Sequence, residues 1–219
     1  MSFSLILKDE FKGFYKSKVM IFLWIGLPAL AFLLHFFLSD LYSSLSMLTA
    51  LLVSNIGGLL AAVMLTVNII NEKDTRVYDL FLIRPLKRWH LMLSKFLAVF
   101  ICVSIACLLA IILGIAVDFF QSSIPIDIIL QNLVDPLIMT FSVIAISSAV
   151  GILFGVISPS ILVGVVLVIF VGNYISTIPS IIPLAFEFDN PATIVFAIGV
   201  IFTIVLMSLA IVVFKRKEF

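Results

Sequence analysis

All thirteen Lys and Arg residues of this 219-residue chain fall in three short segments. Four lie at Lys8–Lys18, six at Lys73–Lys95 and three at Lys215–Lys217. The stretches between them are apolar runs of a length that water-soluble folds do not use. Val19–Leu38, for example, is a twenty-residue run whose one titratable group is His35. About twenty apolar residues in a helix cross the ~30 Å of bilayer hydrocarbon. Composition agrees: 63% of residues are hydrophobic, 11% are charged, and the mean hydropathy is +1.35. A soluble domain carries roughly a quarter charged residues. The expected fold is all-α and integral to a membrane, one transmembrane domain over residues 1–219.

Six spans follow from the runs. The first two are Val19–Leu38, which Pro28 is expected to kink, and Leu45–Ile70; the third is Phe96–Val117. Asp135-Pro136 opens a fourth that reaches Ile157, Ser158-Pro159-Ser160 turns into a fifth, and Asn190-Pro191 opens a sixth that ends at Phe214. Asp, Ser or Asn caps free backbone N–H groups at a helix start, and Pro fits the first helical position because it has no N–H to satisfy. Asp135 also admits another reading, as an intramembrane acid for protons or a cation. From Pro159 to Ile175 the fifth span measures only about 26 Å. Pro179 and Pro183 then interrupt the apolar residues that continue. Ile175–Phe186 therefore reads as a re-entrant segment between the fifth and sixth spans and as a candidate outer gate.

With six spans, the three basic segments share one face. The other face has Asp40, Asp118, Asp127, Asp135, Glu187 and Asp189 without a single base. The positive-inside rule then makes both termini and the central segment cytoplasmic.

Ahead of the first span, residues 2–18 interleave charge with apolar side chains, unlike a cleaved leader. At 100° per residue Phe3, Leu7, Phe11 and Phe14 fall within about 80°, with Lys8, Asp9, Lys12 and Lys16 opposite. The expected structure is an interfacial helix with its apolar face down on the bilayer; a frayed polar leader is the alternative. Asn55 and Asn68, inside the second span, suit hydrogen bonds between helices. Small residues at Ser147, Gly151 and Gly155, and at Gly57 and Ala61, let helices approach closely, within the chain or between two copies. Cys102 and Cys107 are five apart, and His35 and His90 lack Cys or His neighbours, so no metal site is expected.

The central stretch Asn71–Lys95 is expected to stand in water between the second and third spans. Val77, Leu80 and Phe81 recur at i, i+3 and i+4 and give a short helix an apolar edge. Glu72, Lys73, Asp74, Arg76 and Asp79 line much of the remainder. Arg84-Pro85 breaks that helix, and Pro85 is expected to start the helix of the third span, with Lys87, Arg88 and Trp89 at headgroup level. A basic loop that only fixes topology would need no acids, whereas Glu72, Asp74 and Asp79 offer salt bridges to a partner.

An amphipathic N-terminal helix, six spans, and a second loop reading Glu72…Thr75…Leu80…Pro85-Leu86-Lys87-Arg88…Lys95 resemble the membrane subunits of ABC-2 type transporters. Two positions depart from the pattern: Asp74 replaces a glycine, and Leu86 a small residue. The resemblance implies two such permease chains, as a homodimer or with a paralogue, and two cytosolic ABC ATPases carrying ATP and Mg. It implies ATPase coupling through the N-terminal helix and the loop, hence through Glu72, Asp74, Arg76, Asp79, Phe81, Arg84, Pro85, Lys87 and Arg88. The location implied is a bacterial or archaeal cell membrane. The chain has no G-x-x-x-x-G-K-[ST] of its own, so it is expected to bind no cofactor, to hydrolyse no ATP and to contact no nucleic acid. Few polar groups in the spans favour amphiphilic or hydrophobic cargo. Two other classes stay open: a motor-free channel or immunity protein, and an intramembrane lipid-modifying enzyme. The second needs a nucleophile–base or metal set that two isolated histidines do not supply.

Overall fold

The computed structural model describes residues 3–38, 45–75, 88–121, 134–178 and 191–216. Every regular element among them is helical. They are α1 (Phe3–Tyr15), α2 (Lys18–Leu38), α3 (Leu45–Asp74), α4 (Arg88–Gln121), α5 (Val134–Ile157), α6 (Ile161–Ile178) and α7 (Pro191–Arg216). Five of the described helices, α3 to α7, are long and apolar enough to cross a membrane. A sixth crossing is reached if α1 and α2, bent by 64° at their junction, count as one broken span. Outward side chains are those that hydrocarbon would cover: Phe22, Phe37 and Leu162 are 76%, 75% and 74% exposed. Apolar exposure on that scale marks a lipid-facing or partner-facing surface.

At the centre, α3 lies along α5. Two helix backbones meet closely only where side chains are absent, and the small-residue stripe of α5 serves this purpose. A Cβ on Gly151 would lie 2.5 Å from the Ala62 carbonyl oxygen, and one on Gly155 would lie 3.0 Å from Ile69 Cβ. Ser147 meets Gly58, where a Cβ would come within 2.7 Å of its Oγ. Thr66 Oγ1 donates to the Gly151 carbonyl at 2.8 Å. Of the two uses the sequence allowed for this stripe, the structure takes packing inside the chain. Gly57 does the same toward α4, where a Cβ would stand 2.7 Å from Cys107 Sγ. Both cysteines are buried and free.

Around this pair, α4 packs on α2 and α3, α7 packs on α5, and α1 lies on α4. Pro28 sits inside an unbroken α2. Trp24 closes the α2–α4 contact by donating from Nε1 to the Cys102 carbonyl at 3.2 Å.

Several boundaries differ from expectation. The helix of the second span continues past Ile70 to Asp74, and that of the third, expected to start at Pro85, is formed from Arg88 onward among the described residues. Hydrophobicity ends where charge begins, but a helix does not. Its backbone hydrogen bonds continue into water as long as propensity allows, and Glu72, Lys73 and Arg88 are ordinary helix formers. Pro191 opens α7 as the first helical residue, as expected. Pro136 stands third in α5, still among the four N-terminal residues whose N–H has no intrahelical partner. The cap of α6 is Ser160, not Ser158: its side chain accepts from the Val163 N–H at 3.5 Å. α6 passes through a π-helical turn at Val168–Gly172 and stays helical to Ile178. The first four residues of the segment expected to be re-entrant therefore belong to the span. The rest of it, with Pro179 and Pro183, lies outside the described residues.

The apolar arc expected of α1 is used at least in part inside the protein. Ile6 and Phe14 are buried, and Phe3, Leu7 and Phe11 half-buried, because α1 turns this side onto α4. Phe11 packs against the protein core, and Phe3 meets the His90 ring at 5.6 Å. Lys8, Asp9 and Lys12 are exposed on the other side.

Candidate functional site

The most demanding group among the described residues is Lys95, a charged residue two turns inside α4 with no exposed surface at all. A buried ammonium is tolerated only if its charge is paired and its protons are accepted. An ammonium has three N–H donors, and three acceptors stand around this one. Glu10 Oε1 is 2.8 Å from Nζ, Glu72 Oε1 is 2.5 Å away, and Asn68 Oδ1 is 3.4 Å away.

Each acceptor is placed by helix periodicity. Asn68 and Glu72, four apart on α3, lie one above the other on the face turned to α4. Glu10 falls midway between the buried Ile6 and Phe14, at the edge of the apolar arc of α1 and on the side pressed onto α4. Lys95 thus joins the N-terminal helix to the ends of α3 and α4, the two helices that flank the central charged segment.

One cation faces two carboxylates. Burial pushes the Glu10 carboxyl above its usual range; the Lys95 ammonium opposes this, while the Glu72 and Asp9 charges add to it. The second Glu72 oxygen, Oε2, is buried with no hydrogen-bond partner among the described residues. The two carboxylates keep a narrow path to water, with side chains 17% and 22% exposed.

A second tie lies one residue from the first. Lys73 Nζ donates to the Ser158 carbonyl at 3.2 Å, at the turn between α5 and α6. A cation at the end of α5 suits the negative pole of that helix.

Of the residues expected to meet a partner, Glu72 is bonded to Lys95 inside the chain. Asp74 and Thr75 are exposed at the end of α3. Arg88 is the first residue of α4. Arg76, Asp79, Phe81, Arg84, Pro85 and Lys87 lie outside the described residues. Asn68 does bond across helices, as expected of an amide in a span. Glu10 and Lys95 were missed as a pair. The signal was present in each: an acid between two apolar residues four before and four after it on one helix face, and a lysine one residue from a run of uncharged side chains. Among the described residues, no cluster of three or more His, Cys, Asp and Glu could hold a metal ion. Compared with protein-family models and with curated proteins, the chain matches none.

Proposed function

We propose that this chain is the permease subunit of an ATP-driven transporter of the ABC-2 type, moving amphiphilic or hydrophobic cargo outward. A separate cytosolic ATPase would supply the motor, and a second permease chain would complete the pathway. The reading rests on the ABC-2-like pattern of the central segment, and the Lys95 tie is the observation that supports it best. A transport subunit must convert a push from outside the membrane into movement of whole helices against one another. A fully enclosed ammonium bonded to α1 and α3 makes the surface a motor would push on continuous with the helices that would move. A segment serving only to set topology has no use for a desolvated three-helix tie, which is expensive to build.

In this reading the exposed end of α3, at Asp74 and Thr75, and the residues that follow meet the ATPase. α1 presents Lys8, Asp9 and Lys12 beside them at the membrane surface. The basic segments and both termini are cytoplasmic. ATP and Mg are bound by the partner, and this chain performs no covalent chemistry.

Two measurements test the proposal. An affinity-tagged chain purified from its native membrane should bring down a nucleotide-binding ATPase, and the double charge reversal D74K/R76E should abolish stimulation of ATP turnover while leaving the protein folded. Recovery of the chain free of any ATPase under mild detergent would remove the reading. For orientation, a cysteine placed at Ser122 should react with an impermeant thiol reagent in intact cells and one at Thr75 should not. The reverse pattern would overturn it.

A further inference from the structure

We infer that a cleft between α4, α5 and α7 is a binding site for one acyl chain of a bilayer phospholipid. Both α4 and α7 pack on α5 but barely on each other. The gap is floored by Phe141, Ser142 and Ala145 and walled by Phe96 and Phe100 on one side and Phe196 on the other. Its volume is ≈ 230 Å³. Close packing fixes the shape. Gly199 brings α7 down onto Ser142, where a Cβ would lie 2.9 Å from Ser142 Cβ. Phe96 and Phe100 stack at 5.8 Å with their rings 6° apart, giving one wall a flat aromatic face.

The lining selects hydrocarbon. No charged residue borders the cleft, and its two hydroxyls are spent on their own helices. Ser142 Oγ donates to the Ile138 carbonyl at 2.9 Å, and Thr203 Oγ1 to the Gly199 carbonyl at 2.7 Å. An occupant with a polar head at this depth would find no unengaged side-chain donor. The volume selects a chain over a helix. At ~30 Å³ for a group the size of a water or a methylene, about eight such groups fit, whereas a single turn of a helix with its side chains, about 10–12 Å across and 5.4 Å long, fills roughly 400–600 Å³. The site opens sideways, since Phe196 and Ile204 on the α7 rim are 53% and 62% exposed. Transfer from surrounding lipid brings no hydrophobic gain, so the site must hold its chain by van der Waals packing. A straight chain against stacked rings maximises that contact. The inference does not depend on the transport reading.

Native mass spectrometry of the detergent-purified chain tests it. The wild-type protein should retain one phospholipid through detergent exchange, as a discrete mass adduct. Ala145→Leu, which fills the floor, should lower the occupied fraction at least fivefold. Val200→Trp, at a position 41% exposed where a large side chain has room, should lower it similarly by covering the mouth. Should Ala145→Leu not fold, Val200→Trp carries the test alone. Wild-type protein without a lipid adduct would overturn the inference, as would an adduct untouched by both substitutions. Adduct masses matching a non-lipid molecule, or a second copy of the chain cross-linked through Val200→Cys, would overturn it in favour of cargo or of dimerisation.

Discussion

Replacing Lys95 by Met keeps an unbranched side chain of similar length and removes the charge, so it tests the tie without opening a cavity. The loss is two charge-assisted bonds, at 2.8 and 2.5 Å, to Glu10 and Glu72. Two carboxylates are left facing an apolar side chain. Breaking a buried ion pair from one side costs about 3–5 kcal/mol, mostly for the charge left behind. Here the carboxylates are 17% and 22% exposed and Glu10 takes up a proton readily, so the low end applies, ~3 kcal/mol. At about 2–4 °C per kcal/mol for a chain of this size, Tm in detergent should fall by roughly 6–12 °C. Adding Glu10→Gln and Glu72→Gln should restore most of it, because removing a buried ionic cluster as a whole is often near neutral. Limited proteolysis gives a second readout, with α1 cut earlier in Lys95→Met than in wild type. A Lys95→Met melting point within about 2 °C of wild type, less than 1 kcal/mol on this scale, would refute the reasoning. So would a triple variant no more stable than the single one.

Further outcomes follow from the same geometry. Gly151→Ala should destabilise by about 1–3 kcal/mol, as overpacking does, since the atom its Cβ meets at 2.5 Å is a backbone oxygen with no rotamer to escape into; an unchanged Tm would show that α3 and α5 can slide apart. Gly13→Ala should act oppositely and stabilise α1 by up to ~1 kcal/mol, because nothing lies within 4 Å of the added methyl; slower proteolysis at α1 is the readout, and faster cutting would refute it. The raised Glu10 carboxyl sets a pH dependence: the folded chain holds this proton more tightly than the unfolded one. That contribution is fully present below the unfolded carboxyl range and is lost as pH rises through the raised native value. Wild-type Tm should therefore fall with rising pH relative to Glu10→Gln, and parallel curves would place the proton elsewhere.

The class of this protein was fixed by composition. Hydrocarbon excludes unpaired backbone groups and charge, so long apolar runs bounded by Lys and Arg leave few folds open, and a helical membrane protein was legible without coordinates. Periodicity also located the apolar arc of α1 and the small-residue face of α5, because both depend only on 3.6 residues per turn. Which surface each face meets could not be read that way. A stripe at Ser147, Gly151 and Gly155 fits α3 of the same chain as well as a second copy, and only the position of Ala62 beside Gly151 decides. The end of α3 was placed too early for a related reason: hydropathy reports where lipid stops, while hydrogen bonding carried the helix on to Asp74. The tie itself was the least legible feature. Glu10, Asn68, Glu72 and Lys95 span 85 positions, and along the chain each looks like a stray polar residue near a span. Burial makes them one unit, since an enclosed ammonium must find its three acceptors wherever the packing of α1, α3 and α4 brings them.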